Sequence, residues 1–339
     1  MTQQDSNRIL LAHGGGGRLM EQLIRQTILP RLGDQGGQLK DSAELDLDSS
    51  RICFTTDSYV VKPLFFNGGD IGKLAVCGTI NDLAVAGSKP IAIALSLIIE
   101  TGFEIALLEK ILDSASRAAR QDGVSIVTGD TKTVEAGAAE GLYINTAGVG
   151  VRCYDTKLGF DRIADGDRII VSGTIGDHGM TIMSQREGMK FETPLTSDCA
   201  SLWPLTDQLL TNCPGIKFMR DPTRGGLAAT LNEIAEAANI SIEINETDIP
   251  VNPTVQAAAD MLGFDVLNIA NEGKVVIVVA ADNAEQCLAI CRQNCLGTNA
   301  SIIGEVHGAD RQALVQMKTR IGGARIVQMP YGAELPRIC

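Results

Sequence analysis

IGKLAVCGTINDLAVAG, residues 71–87, followed by the apolar run IAIALSLII at 91–99, decides the fold. Ile71, Leu74, Ala75, Ile80 and Leu83 recur at helical spacing and Gly87 closes the segment, so 71–86 is expected to be a helix and 91–99 a buried strand. Working outward, 52–56 reads as a short strand ending at Asp57, and 104–121 as a second amphipathic helix. Residues 124–128 form an expected strand ending at Gly129-Asp130, and 143–151 another. An amphipathic stretch at 19–32 lies between glycine clusters at 14–17 and 33–37. The second half repeats the theme: strands at 168–172, 275–281 and 301–305, and helices at 179–185, 199–211, 224–238 and 284–295. The order argues α+β or α/β in both halves. At about 150 residues per domain, 339 residues suggest two domains. Apolar density falls around 152–167, which places the expected divisions at 1–44, 45–155, 156–320 and a flexible tail at 321–339.

The formal charge is −12, with no basic run, so nucleic-acid binding and attachment to anionic lipid are disfavoured. No apolar stretch approaches the ~18–20 residues of a membrane span, and residues 1–7 are polar, unlike an export signal. A cytoplasmic protein is expected, with its nine cysteines reduced. Only His13, His178 and His307 occur, so chemistry must lean on Asp, Glu, Lys, Cys and backbone amides.

Walker, Rossmann, zincin and nucleophile-elbow motifs are absent. What remains is a set of aspartates at strand ends or beside glycine: Asp57, Asp82 in Asn81-Asp82-Leu83-Ala84, Asp130 in Thr128-Gly129-Asp130-Thr131-Lys132, and Asp221 in Arg220-Asp221-Pro222-Thr223-Arg224-Gly225-Gly226. Carboxylates converging from separate elements suit Mg²⁺ and its phosphate ligands; singly, each equally suits a helix cap or a turn. Gly14, Gly15, Gly16 and Gly17 could wrap phosphates with backbone N–H groups or form an ordinary loop. Asn271-Glu272-Gly273-Lys274 places an acid at an element junction, where a plain turn is the alternative. Cys287, Cys291 and Cys295 share a helical face without zinc-site spacing and read as buried small hydrophobes. Cys339 stands last, on a tail rich in Pro and Gly. A tether from Gly323 reaches roughly 50 Å at ~3.3 Å per residue, enough for a swinging thiol carrier; a frayed terminus is the alternative.

The sequential order of Ala12-His13-Gly14-Gly15-Gly16-Gly17, Thr56-Asp57-Ser58, Asn81-Asp82-Leu83-Ala84, Thr128-Gly129-Asp130-Thr131-Lys132, Asp221-Pro222-Thr223-Arg224-Gly225-Gly226 and Pro336-Arg337-Ile338-Cys339 resembles the HypE family of hydrogenase-maturation carbamoyl dehydratases. That family belongs to the aminoimidazole-ribonucleotide-synthetase-like (PurM-like) superfamily, and the resemblance covers essentially the whole chain. It implies two α+β domains and a homodimer whose N-terminal domains join into a barrel, with ATP nearby. It also implies ATP-dependent dehydration of a carboxamide on the Cys339 thiol to a thiocyanate, the source of cyanide for [NiFe]-hydrogenase iron. The carbamoyl group would come from HypF, and the product would pass to a HypC–HypD complex. The amide oxygen would attack the γ-phosphorus of ATP, with Mg²⁺ on Asp57, Asp82 and Asp130, Asp221 as a further candidate ligand, and Gly14–Gly17 over the phosphates. By resemblance Glu272 is the first candidate for the base, and Lys132 its partner or a phosphate contact. Selenophosphate synthetases, purine-pathway synthetases and thiamine-phosphate kinases are the competing enzymes; a scaffold with a docking C-terminal peptide is the competing non-enzyme.

Overall fold

A computed structural model describes residues 8–10, 13, 22–32, 51–189, 195–308 and 313–329. Gly14–Gly17 and Cys339 lie outside the described residues. The helical segment over residues 22–32 contains a π-helical turn, Ile24–Ile28, that continues as α1, Leu29–Leu32.

The N-terminal layer is built on β1 (Ile52–Tyr59), the hairpin β2 (Phe65–Phe66) and β3 (Gly69–Asp70), and then α2 (Ile71–Val85). It continues through β4 (Lys89–Glu100), α3 (Ile105–Gln121), β5 (Ser125–Thr128), β6 (Thr131–Val134) and β7 (Leu142–Val151). The sheet order is β1-β7-β4-β5, with β6 also on β4; β7 runs antiparallel to both neighbours and β4 parallel to β5 and β6.

Asp70 caps α2 by accepting from Gly72 N (2.8 Å) and Lys73 N (3.2 Å). Leu74, Val76, Ile80 and Leu83 are all buried, so α2 is apolar all round and is sandwiched rather than laid on a surface. Each such side chain contributes ~1.5–3 kcal/mol. A Cβ on Gly72 would stand 2.2 Å from Ile111 O of α3, which explains the glycine at that helix crossing. The sheet face away from these helices leaves Phe54 68%, Ile52 55% and Ile98 40% exposed.

The C-terminal layer comprises β8 (Arg168–Val171), α4 (Asp177–Arg186), α5 (Trp203–Asn212), β9 (Ile216–Arg220), α6 (Gly226–Ala238) and β10 (Ser241–Asn245). After these come α7 (Pro253–Leu262), β11 (Val276–Val279), α8 (Ala284–Gln293), β12 (Ser301–His307), β13 (Leu314–Lys318) and β14 (Ala324–Ile326). Its sheet runs β14-β13-β10-β12-β8-β11-β9. The Val276–Val279 strand is buried along its whole length, because α6 covers one face of the sheet and α5 with α8 the other. The N-terminal core continues into Met180 and Ile182 of α4 and Val255 and Ala258 of α7, which ties the two layers together. No helix among the described residues is long and apolar enough to cross a membrane.

Several expectations are corrected. The first strand does not stop before Asp57: its ladder with β7 is unbroken from Ile52↔Val151 to Tyr59↔Ile144, so Asp57 sits inside the strand. The helix expected from 199 begins only at Trp203, because residues 200 and 202 give their backbone groups to Asn81 instead. Cys287 and Cys291 are fully buried on α8, but the helix ends at Gln293 and Cys295 is exposed. Residues 324–327, expected within the tail, belong to the sheet. Ala324–Ile326 pairs with β13, and Val327, buried, donates its N–H to Val315 O at 2.8 Å.

Candidate active site at the junction of the two layers

A cavity of about 610 Å³ opens between β1 and α2 on one side and β9 with the 271–274 loop on the other. Four acids line it: Asp57, Asp82, Asp221 and Glu272. Arg152, Arg220 and Arg224 are the cations among its described lining residues. That size is ordinary for a small-molecule site.

Each acid is delivered by local structure. Asp57 projects from β1, where its Oδ1 accepts from Ser58 N at 2.7 Å. Asp82 lies near the C-terminal end of α2 and accepts from Thr55 Oγ1 at 2.7 Å. Its neighbour Asn81 points elsewhere and is buried. Asn81 donates through Nδ2 to Ala200 O and Glu272 O, both at 3.1 Å, and accepts from Leu202 N at 2.7 Å. The Asn-Asp pair thus divides its labour: one residue clips the layers together and the other faces the cavity.

Asp221 follows β9 directly. The turn after it relies on Gly225 and Gly226, with φ of 72° and 60°, and a Cβ on Gly226 would meet Leu267 O and Ile269 O at 2.5 Å. Asn271 ties this turn down by donating to Pro222 O (2.9 Å) and Ile269 O (3.0 Å) while accepting from Gly176 N (2.7 Å). Glu272, the next residue, is 3% exposed and reaches the cavity wall.

The electrostatics follow from this crowding. Burial raises the Asp82 carboxyl, helped by the charge of Asp57 and opposed by the Thr55 hydroxyl, Arg220 and Arg224. Burial, then the charge of Asp82, pushes Asp221 up to about 6. Glu272 is driven well above the ordinary carboxyl range by burial first, then by Asp198, Asp221 and Asp57. Asp57, Asp82 and Asp221 share this cavity, but their carboxylate oxygens do not all lie within 4.8 Å of one another; the arrangement fits a Mg²⁺ that takes one or two of these carboxylates and completes its shell with water and phosphate oxygens.

Asp130 and Lys132 are placed apart from this group. Neither lines the cavity, and Lys132 Nζ pairs with Asp130 Oδ2 at 3.0 Å on an exposed stretch. The Lys132 hydrogen bond holds the Asp130 carboxyl below its usual range. Asp57 aligns with Thr146 and Leu95 across the sheet, and Asp130 follows β5 beyond β4. Three strand spacings separate the two, ~14 Å, too far to share one ion within a chain. The cations that face the cavity are arginines instead. Arg220 and Arg224 flank Asp221 in sequence, so they were legible there; Arg152 carried no signal.

A family model of the AIR synthase related protein N-terminal domain matches residues 39–152, and that of the C-terminal domain matches 164–316. Fold and cavity therefore define a two-domain AIR synthase related protein. Carbamoyl dehydratase HypE of Bradyrhizobium diazoefficiens is 50% identical over 331 residues, covering 97% of this chain and 95% of the relative. A crystal structure of hydrogenase maturation protein HypE in complex with ATP superposes with TM-score 0.93 at 43% identity, covering 97% of this chain and 99% of that one. The crystal structure of a HypE–HypF complex matches with TM-score 0.80 at 47% identity, covering 84% and 92%. The chain belongs to the HypE family.

Proposed function

We propose that the chain is an ATP-dependent carbamoyl dehydratase. It converts a carboxamide carried on the Cys339 thiol into a thiocyanate, releases ADP and phosphate, and so supplies cyanide ligands for [NiFe]-hydrogenase iron. The observation that carries the reading is one cavity holding a buried Glu272 beside Asp221 and across from Asp57 and Asp82.

An amide oxygen is a poor leaving group, so it is first phosphorylated: it attacks the γ-phosphorus and ADP departs. Asp57, Asp82 and Asp221 would hold Mg²⁺, which supplies charge neutralisation for the phosphates. Arg220 and Arg224 face the same acids and are placed to meet phosphate oxygens. The phosphorylated amide nitrogen carries two protons: one passes to solvent, leaving the neutral imidate phosphate, and Glu272 takes the second as the C≡N bond closes and phosphate leaves. A carboxyl with raised proton affinity is the stronger acceptor for an amide-type proton, which is what burial and three neighbouring acids provide. Gly14–Gly17 is assigned to the phosphates and to excluding water. Asp130 and Lys132 would contribute only through another copy of the chain or another part of the nucleotide.

The arm begins after Val327, buried in the C-terminal sheet. Fully extended, the twelve residues from there to Cys339 could reach at most roughly 40 Å, shorter than the sequence alone suggests. A relative crystallised with HypF supports HypF as the carbamoyl donor; a HypC–HypD complex is proposed as acceptor. The apolar outer face around Phe54, Ile52 and Ile98 supports a homodimer that pairs the N-terminal sheets into a barrel. A cytoplasmic location suits the chemistry of a reduced thiol.

Intact-mass spectrometry of the carbamoylated chain tests this reading. Adding Mg-ATP is expected to remove the mass of one water, and Cys339→Ala never acquires the carbamoyl group. Carbamoyl mapped to Cys53 or Cys77 instead of Cys339 overturns it.

A further inference from the structure

Glu272 is held from behind by a residue that never enters the cavity. Asp198 lies on the segment between α4 and α5, its side chain 3% exposed. Its Oδ1 accepts from Glu272 N at 3.2 Å, and its Oδ2 accepts from Gly273 N at 3.2 Å and from Lys274 Nζ at 3.0 Å. Lys274, itself almost buried, also stands 3.7 Å from Asp177 Oδ2. The two strands of chain are pressed together so closely that a Cβ on Gly273 would stand 2.0 Å from Asp198 O.

We propose that Asp198, kept ionised by Lys274, is a positioning residue for Glu272: it fixes the 271–274 loop by two peptide N–H groups and places a full negative charge behind the carboxyl. This rests on the reading of Glu272 as the proton acceptor.

Three physical arguments carry it. Two N–H donors and an ammonium converge on one side chain, and only an acceptor-only group satisfies all three; Asn would turn an NH₂ toward one of them. A buried ion pair is a poor source of stability, because desolvation offsets most of its attraction, so its presence here calls for a different use. Burial by itself would raise the Asp198 carboxyl, yet the ammonium of Lys274, then His178, and the hydrogen bonds to it outweigh burial and hold it below its usual range. It therefore stays charged across the neutral range and disfavours ionisation of Glu272. The other groups that face Glu272 are Asp221 after β9, Asp57 and Tyr59 on β1, Cys77 on α2, and Cys199 beside Asp198. None of these five is hydrogen-bonded to the Glu272 backbone in the way Asp198 is.

The test is a direct titration of Glu272 in the whole chain labelled with ¹³C at glutamate Cδ, its resonance identified by its loss in Glu272→Gln. In Asp198→Asn the titration midpoint of Glu272 is expected to fall by about one pH unit, the low end of the effect of a neighbouring full charge. Single-turnover dehydration at pH 7.5 is expected to slow about tenfold even though more Glu272 is ionised, because the loop that aims its carboxylate is released, with ATP affinity within about twofold of wild type. Should the lone substitution prevent folding, Asp198→Asn/Lys274→Met removes the orphaned ammonium as well and moves the midpoint the same way. An unmoved midpoint in a folded variant, whatever happens to the rate, overturns the proposal and leaves Asp198 a structural support. Because the titration needs no turnover, a wild-type chain that fails to dehydrate counts against the functional reading alone.

Discussion

Glu272→Gln is expected to slow dehydration of the carbamoylated chain by about a thousandfold, within the range general-base catalysis contributes, while ATP affinity stays within about twofold. The substitution preserves shape and leaves the Asn81 contact intact, since Asn81 donates to the Glu272 carbonyl and not to its side chain. It also removes a carboxyl that burial already disfavours in its charged form, so thermal stability should not fall. In the wild type, the rate should rise with pH through a midpoint above the ordinary carboxyl range, because the base works only after losing the proton that its surroundings make it retain. Rapid-quench mass spectrometry with parallel calorimetry of ATP binding separates the outcomes. Lost nucleotide affinity would move Glu272 from the chemistry to the binding site.

Replacing one acid from each wall, Asp82→Asn/Asp221→Asn, is expected to lower Mg-ATP-dependent dehydration about a hundredfold or more, as loss of preorganised charge stabilisation does. Stability should move the other way. Asp221 titrates at about 6 in the folded protein, against about 4 for an unfolded aspartate. Between those values the folded state retains a proton that the unfolded chain has released. Stability contributed by this group is therefore greatest below pH ~4 and declines as pH rises through 6. Without a divalent cation at pH 7.5, the double variant should then melt at a higher temperature than the wild type. Adding Mg²⁺ should raise the melting temperature of the wild type at pH 7.5 and do less at pH 4.5, where Asp221 is largely protonated. Calorimetric scans at both pH values check this; a variant that still responds to Mg²⁺ as the wild type does would place the cation elsewhere.

Much of this site was legible because its acids lie in short local motifs. Asp82 could be read from a helix whose apolar spacing is unmistakable, and Asp221 from a Pro and two glycines that force a turn at a strand end. What the sequence could not show was partition. Asn81 and Asp82 look like one motif, yet adjacent helical positions face different directions, and only the packed layers reveal which one clips and which one lines the cavity. Asp130 resembles the other acids locally but is set apart by the strand order, since β7 and β4 intervene between it and Asp57. Asp198 gave no local signal at all: its partners lie more than seventy positions away in sequence. Strands β9, β10 and β13 were missed for a related reason, each being a five-residue run whose identity depends on its neighbours in the sheet. The extension of the first strand past Asp57 was decided by ten-residue β7, which offers partners to its end.

Following the carboxamide oxygen tests the central claim most directly. With that oxygen supplied as ¹⁸O on the Cys339-bound carbamoyl group and Mg-ATP added, the label is expected in inorganic phosphate, one atom for each chain cyanated. Label appearing in bulk water, with unlabelled phosphate released alongside, would mean that the amide is never phosphorylated and would contradict the account.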